Sequence, residues 1–248
     1  MRDSGATVIA TVRPPIAQTD AVATAAGLTY LAFFTTDEIF TFADDAAQIA
    51  EARSERNLAG FYFWDAQVVE GFTTPRAQEQ AYSTLKLLFP DKLVLYPTRL
   101  DPIAWDPRFL DDYFRPQFTD LVTPYFYPVG TTIIGEAGED DPWRLDELLS
   151  ALAERVPAGK DILPVLQGFE QVGYPVGTAF LQKQFAIYRH HWPTLRNVAV
   201  YAWRFGGEGA GPLLEIAGRP DLEQGVCHLF RSLSRTGGCR SDREIPFR

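Results

Sequence analysis

Two cysteines, one methionine and three histidines are all that the 248 residues hold of the side chains that favour soft or borderline metals. Cys227 and Cys239 have no neighbouring His or Cys at zinc-site spacing, so no metal and no cofactor is expected. Spacing alone leaves two states for them, a disulfide closing a short loop or two separate thiols. The histidines fall late in a helix-like segment (His190, His191) or on the last helix-like segment (His228), and none ends an apolar run. That placement argues against a Ser–His–Asp hydrolase, a histidine-ligated zinc enzyme and a histidine-dependent phosphodiesterase barrel. Long apolar stretches are missing too: nothing approaches the roughly 18 to 20 uninterrupted residues of a membrane helix. Met1 is followed by Arg2, Asp3 and Ser4 rather than by the apolar core of a signal peptide. As written the chain reads as cytoplasmic, and as secreted only if an upstream segment with a signal peptide belongs to it. Positive charge is in deficit, with 23 Lys and Arg against 32 Asp and Glu, a formal charge of −9 and a pI near 4.9. A nucleic-acid backbone or an anionic membrane surface needs clustered basic residues, so neither is expected as a partner.

What is present is a regular alternation. Seven apolar runs rich in Val, Tyr and Phe span Val8 to Val12, Thr29 to Phe34, Gly60 to Trp64, Lys92 to Tyr96, Leu121 to Tyr127, Ile162 to Gln167 and Val198 to Trp203. Between them the spacing predicts helices over Ala17 to Ala26, Asp44 to Asn57, Pro75 to Phe89, Pro107 to Phe118, Trp143 to Val156 and Thr178 to Trp192, with a last one near Leu222 to Leu233. Thr74 before Pro75 and Asp106 before Pro107 are cap-plus-proline starts. Strict alternation of strand and helix implies α/β architecture with parallel strands and right-handed crossovers. An open doubly wound sheet usually carries a glycine-rich phosphate turn after its first strand. Here Val12 is followed by Arg13, Pro14 and Pro15, and neither GxGxxG nor GxxxxGK occurs. The expected fold is therefore a (β/α) TIM-type barrel over residues 1–233 with a C-terminal tail over 234–248. Seven recognisable strands instead of eight imply either that the first βα unit is lacking or lost, or a rarer seven-stranded or gapped barrel. Such a gap exposes a strand edge, and a homo-oligomer is one way to cover it.

Parallel barrels gather their chemistry at the carboxyl ends of the strands. Those ends carry Arg13; Asp37 and Glu38; Trp64 and Asp65; Tyr96, Arg99 and Asp101; Tyr125 and Tyr127; Gln167 and Glu170; Trp203, Arg204 and Glu208. Flat rings stack on the apolar faces of sugars while carboxylates, Arg and Gln bond their hydroxyls, so this mixture suits a carbohydrate ligand.

Three stretches, GFYFWD at Gly60 to Asp65, LPVLQGF at Leu163 to Phe169 and VYAWR at Val200 to Arg204, resemble the (β/α)8 glycoside hydrolases, in particular the poorly characterised bacterial glycoside-hydrolase-like barrels. With one leading unit absent, the resemblance makes Gly60 to Trp64 the fourth strand and Ile162 to Gln167 the seventh. In the largest clan of retaining barrels these carry the general acid and the nucleophile. The implied catalytic pair is Asp65 and Glu170, with Trp64, Tyr96, Arg99, Tyr125, Tyr127, Gln167, Trp203 and Arg204 binding substrate. The sequence departs from the family at Ala66, where a glutamate is expected.

Three functions follow. The first is a glycoside hydrolase acting on an oligo- or polysaccharide through two carboxylates. The second is a non-catalytic carbohydrate-binding barrel, which Ala66 favours. The third is a lyase or isomerase on the same scaffold. Glu38 and Glu208 are the substitutes for Glu170. The remaining acids read as structural: Asp44–Asp45 and Asp111–Asp112 precede helices, where carboxylates suit the helix dipole, and Glu136, Glu139, Asp140 and Asp141 read as a solvated loop.

Overall fold

The computed structural model describes residues 6–11, 16–63, 73–100, 106, 108–127, 142–168, 170–171, 177–195, 197–201, 213–214 and 219–234. In chain order its elements are β1 (Val8–Thr11), α1 (Ile16–Ala26), β2 (Thr29–Phe34), α2 (Thr36–Ala43), α3 (Ala46–Ser54), β3 (Leu58–Phe63), α4 (Pro75–Leu88), β4 (Leu93–Leu95), β5 (Pro97–Arg99), α5 (Phe109–Tyr113), a 3-10 turn (Pro116–Phe118), β6 (Thr123–Tyr125), α6 (Pro142–Ala153), β7 (Val165–Gln167), β8 (Glu170–Gln171), α7 (Thr178–His191), β9 (Ala199–Tyr201), β10 (Leu213–Leu214) and α8 (Pro220–Ser234). The chain divides into two compact units, residues 7–126 with 147–164, and residues 1–6 with 127–146 and 165–248. The architecture is α/β with parallel sheets, and no closed barrel forms among the described residues.

In the first unit β1, β2, β3 and β4 form one parallel sheet in chain order. Gly60 makes the β3–β4 approach possible, because a β-carbon there would collide with the carbonyl of Leu93. The ladder then changes partner: β5 begins at Pro97, one residue after β4, and pairs in parallel with β6, Arg99 opposite Tyr125. Proline has no amide hydrogen to give a ladder, which explains why one predicted run, Lys92 to Tyr96, is followed by a second short strand rather than extended. A parallel bridge from Val122 to Ile162 continues the pairing.

Alternate residues of these strands (Tyr30 and Ala32, Phe61 and Phe63, Val94 and Tyr96) point to one face and meet Ile39 and Phe42 of α2 and Ala81 and Leu85 of α4 in a single buried cluster. Phe42, Phe61 and Phe89 lie 5.1 to 6.1 Å apart, centroid to centroid, in tilted and stacked pairs. Each buried Phe contributes about 1.5–3 kcal/mol. At the opposite, amino end of the strands the carboxylate of Asp120 accepts from Tyr82 Oη (2.9 Å), Lys86 Nζ (3.1 Å) and the Val94 amide (2.8 Å), tying α4 to β4.

Two helices depart from the spacing. The helix expected over Asp44 to Asn57 is α3, which Asp45 caps by accepting from the amides of Ala47 and Gln48, but the spacing does not predict α2, which precedes it. The signal for α2 is in the sequence, a Thr35-x-x-Glu38 capping box in which each side chain bonds the other's amide. Pro107 to Phe118 is broken. Asp106 does bond the Arg108 amide, but α5 ends at Tyr113 and Pro116 starts a separate 3-10 turn, since the residue before a proline disfavours helix.

In the second unit β7 and β9 pair in parallel, while β8 and β10 form a short antiparallel pair that the periodicity does not predict. α7 and α8 pack at Gly225, where a β-carbon would meet the Thr178 side chain, and Thr178 Oγ1 donates to the Asp221 carbonyl at 2.6 Å. Cys227 on α8 is in a disulfide, which decides the question its spacing left open; Cys239 lies outside the described residues. No described helix is long and apolar enough to cross a membrane.

Candidate functional site

The strand ends sort the candidate residues by the face on which they fall. β2 delivers Thr35, Thr36, Asp37 and Glu38 not into a loop but into the first turn of α2, where acids favour the positive end of the helix dipole. Glu38 Oε2 accepts from the Thr35 amide at 2.6 Å, so this substitute carboxylate already has a structural task. β3 ends at Phe63. Trp64 and Asp65 follow it directly and, like Ala66, lie outside the described residues, as do Arg13, Asp101, Trp203, Arg204, Glu208 and the acidic loop from Glu136 to Asp141.

Tyr96 follows β4 on the helix-facing side. Its ring stacks on Phe63 at 3.9 Å and 14° and is 6 % exposed. Burial pushes its phenol well above the ordinary tyrosine range, a contact with Thr36 pulling the other way, and among the described residues its hydroxyl has no hydrogen-bond partner. The ring is thus spent on the core of the first unit. Arg99 ends β5, half-buried, and Tyr125 opposite it on β6 is buried.

The second unit brings together Tyr127 and Gln167 with a residue that the strand-end pattern missed, Tyr201. Gln167 ends β7 fully buried and stands opposite Tyr201, the last residue of β9. Its backbone is held by another residue that periodicity passed over, Gln184 of α7. The Gln184 side chain accepts from the Gln167 amide (2.9 Å) and donates to the Gln167 carbonyl (3.1 Å), a two-bond clamp that continues the ladder from strand to helix. Gln184 lies in the apolar stripe Leu181, Gln184, Phe185, Tyr188, all buried. A polar residue in such a stripe is the signal that could have found it, because a buried amide must be paired. Beyond β7 the Gly168 amide donates to the Tyr201 carbonyl. Tyr127 and Tyr201 stack with centroids 5.7 Å apart and planes 18° from parallel. Glu170 opens β8 in register with Leu214 of β10, so the backbone at this carboxylate is fixed by a ladder and not by a free loop.

The remaining titratable groups have structural surroundings. Asp45 sits below the usual carboxylate range because the Gln48 amide and side chain bond it, and Asp106 does so through Arg108. Asp111 pairs with Arg155 at 2.8 Å. His190 and His191 occupy the last turn of α7, at the negative end of its dipole, and His191 Nε2 lies 2.8 Å from Asp146 Oδ1. Among the described residues no group of three or more His, Cys, Asp or Glu could hold a metal ion.

The fold of the chain has solved counterparts. It is similar to a β-D-glucuronidase for Dictyoglomus thermophilum (TM-score 0.60, 10% identity, covering 97% of this chain and 46% of that one). It is also similar to a GH2 β-galacturonidase from Eisenbergiella tayi bound to glycerol (0.59, 13%, 99% and 47%) and to a Lactobacillus rhamnosus β-glucuronidase (0.55, 13%, 87% and 41%). At these identities the likeness is one of fold. The chain spans less than half the length of each of the three. No family model and no curated protein matches the sequence.

Proposed function

We propose that the chain is the (β/α)-barrel part of a glycoside hydrolase, with Asp65 as general acid and Glu170 as nucleophile or base. The observation that carries this reading is the fold: several of the solved structures it resembles are, by name, β-glucuronidases and β-galacturonidases. The second unit supports it chemically, because Tyr201, stacked on Tyr127 and 43 % exposed, offers the kind of ring surface that sugar recognition uses. The two carboxylates have distinct tasks. The acid protonates the departing glycosidic oxygen, while the second carboxylate attacks the anomeric carbon or removes a proton from the water that does. A β-uronide is the substrate class to try first, on the strength of those names.

Ala66, next to the proposed acid, favours a second reading, a barrel that binds sugars without cleaving them. Hydrolysis of p-nitrophenyl β-glucuronide, β-galacturonide and β-glucoside separates the two. Turnover by the wild type that Asp65→Asn and Glu170→Gln each reduce at least about a hundredfold supports the hydrolase. Binding without turnover supports the second reading, and absence of both binding and turnover rejects a carbohydrate function.

A further inference from the structure

Tyr201 is the one aromatic side chain among the conspicuously exposed large apolar residues of the described structure; the others, Val8, Val22, Leu87 and Leu93, are aliphatic. Its exposure is 43 %. A single exposed apolar residue is ordinary on a protein surface, and exposure alone argues nothing. Three further features set this one apart. It stands opposite Gln167, the last residue of β7, and so at the carboxyl edge where such parallel sheets present their ligands. Its backbone is fixed on β7, through the Gly168 amide on its carbonyl and the register with Gln167, whose own backbone is clamped by Gln184. Its ring is held at 18° to that of Tyr127 with centroids 5.7 Å apart, an offset-parallel arrangement inside the favourable range for aromatic pairs. An exposed ring that is already oriented loses little side-chain freedom when a ligand lands on it, which is what makes a ring effective in recognition.

We propose that Tyr201 is a sugar-stacking residue, its exposed ring receiving the apolar face of a pyranose while Tyr127 acts as the positioning residue that holds the ring in orientation. The inference rests on the carbohydrate reading above and adds to it a residue absent from the predicted binding set. Stacking uses the axial C–H groups common to neutral and acidic hexoses, so Tyr201 contributes affinity without choosing between them.

The test uses two probes, methyl β-D-glucuronide and methyl β-D-glucoside, measured by calorimetry, together with tetranitromethane nitration mapped by peptide mass spectrometry. Tyr201 should be nitrated in the free protein and protected by whichever probe binds. Tyr201→Ala should weaken binding roughly five- to tenfold with Tm within about 1 °C of the wild type, and Tyr201→Phe should stay within about twofold. Tyr127→Ala should weaken binding less than Tyr201→Ala does, because it loosens the ring without removing it. Failure of Tyr201 to react in the free protein would show the ring covered and overturn the proposal without any variant. Wild-type affinity in Tyr201→Ala overturns it too, while leaving the carbohydrate reading intact. A wild type that binds neither probe takes down that reading and the stacking role together.

Discussion

Two of the tyrosine-bearing stacks among the described residues differ in spacing and in what surrounds them. Phe63–Tyr96, in the first unit, is a tight parallel pair at 3.9 Å, closed in by the layer between sheet and helices. Tyr127–Tyr201, in the second, is looser at 5.7 Å and leaves Tyr201 substantially open. Both lie at the carboxyl ends of parallel strands. The first pair lies in the buried cluster where β2, β3 and β4 meet α2 and α4, whereas Tyr201 is 43 % exposed. A tyrosine at a strand end is therefore a candidate ligand platform only where its surroundings leave the ring open.

The sharpest way to break the comparison is to damage each region's support. Phe61 sits at the centre of the aromatic cluster of the first unit and touches Phe34, Phe42 and Phe89. Phe61→Ala should cost about 3–5 kcal/mol, as loss of a buried ring with its cavity does, and is expected to lower the urea midpoint by more than any substitution of Tyr127 or Tyr201. If Tyr201→Ala proves equally destabilising by urea titration, the second stack is core as well, and the contrast disappears.

A comparable effect is expected at Gln184. Gln184→Leu keeps the volume and the helix but leaves the buried Gln167 amide and carbonyl without their partner. Each such group costs about 1–3 kcal/mol, so a loss of about 2–6 kcal/mol is expected in chemical denaturation, less if the chain relaxes to pair one of them. Saccharide affinity should fall with it, because the clamp fixes the strand end opposite Tyr201. Unchanged stability in Gln184→Leu would mean that Gln167 is held by other groups.

Much of this was legible beforehand, for reasons that show in particular residues. The run from Thr29 to Phe34 is β2 to the residue, and Thr74–Pro75 starts α4 as its cap and proline imply, Thr74 Oγ1 accepting from the Ala77 amide. Such features are local, and local chemistry is written in the sequence. The site was harder to read because it depends on facing. Treating every aromatic at a strand end as equivalent selected Tyr96, which the core consumes, and passed over Tyr201, two residues before the expected strand-end residue Trp203. The second β8–β10 layer escaped for a different reason: two-residue strands have no period.

The smallest expected effect has the most unusual sign. Tyr96 buries a hydroxyl that finds no hydrogen-bond partner among the described residues. A buried hydroxyl without a partner carries a desolvation cost and no compensating bond, so Tyr96→Phe, which keeps the Phe63 stack, should leave Tm unchanged or raise it by about 1–3 °C. The pH dependence sharpens this. Burial raises the folded-state pKa of Tyr96, and that of Tyr30 and Tyr188, well above the ordinary value, and raises Tyr82 to about 12, helped by its bond to Asp120. Above pH 10 the unfolded chain releases these phenolic protons while the folded chain retains them. Stability is therefore complete below pH 10 and declines as pH rises through 10 toward 12 and beyond. Tyr96→Phe removes one of those proton releases, so its margin over the wild type should widen between pH 9 and pH 11 in thermal melts. A Tyr96→Phe protein several degrees less stable than the wild type at pH 7 would mean that the hydroxyl has a bonding partner in solution, and that this stack too keeps one polar end in use.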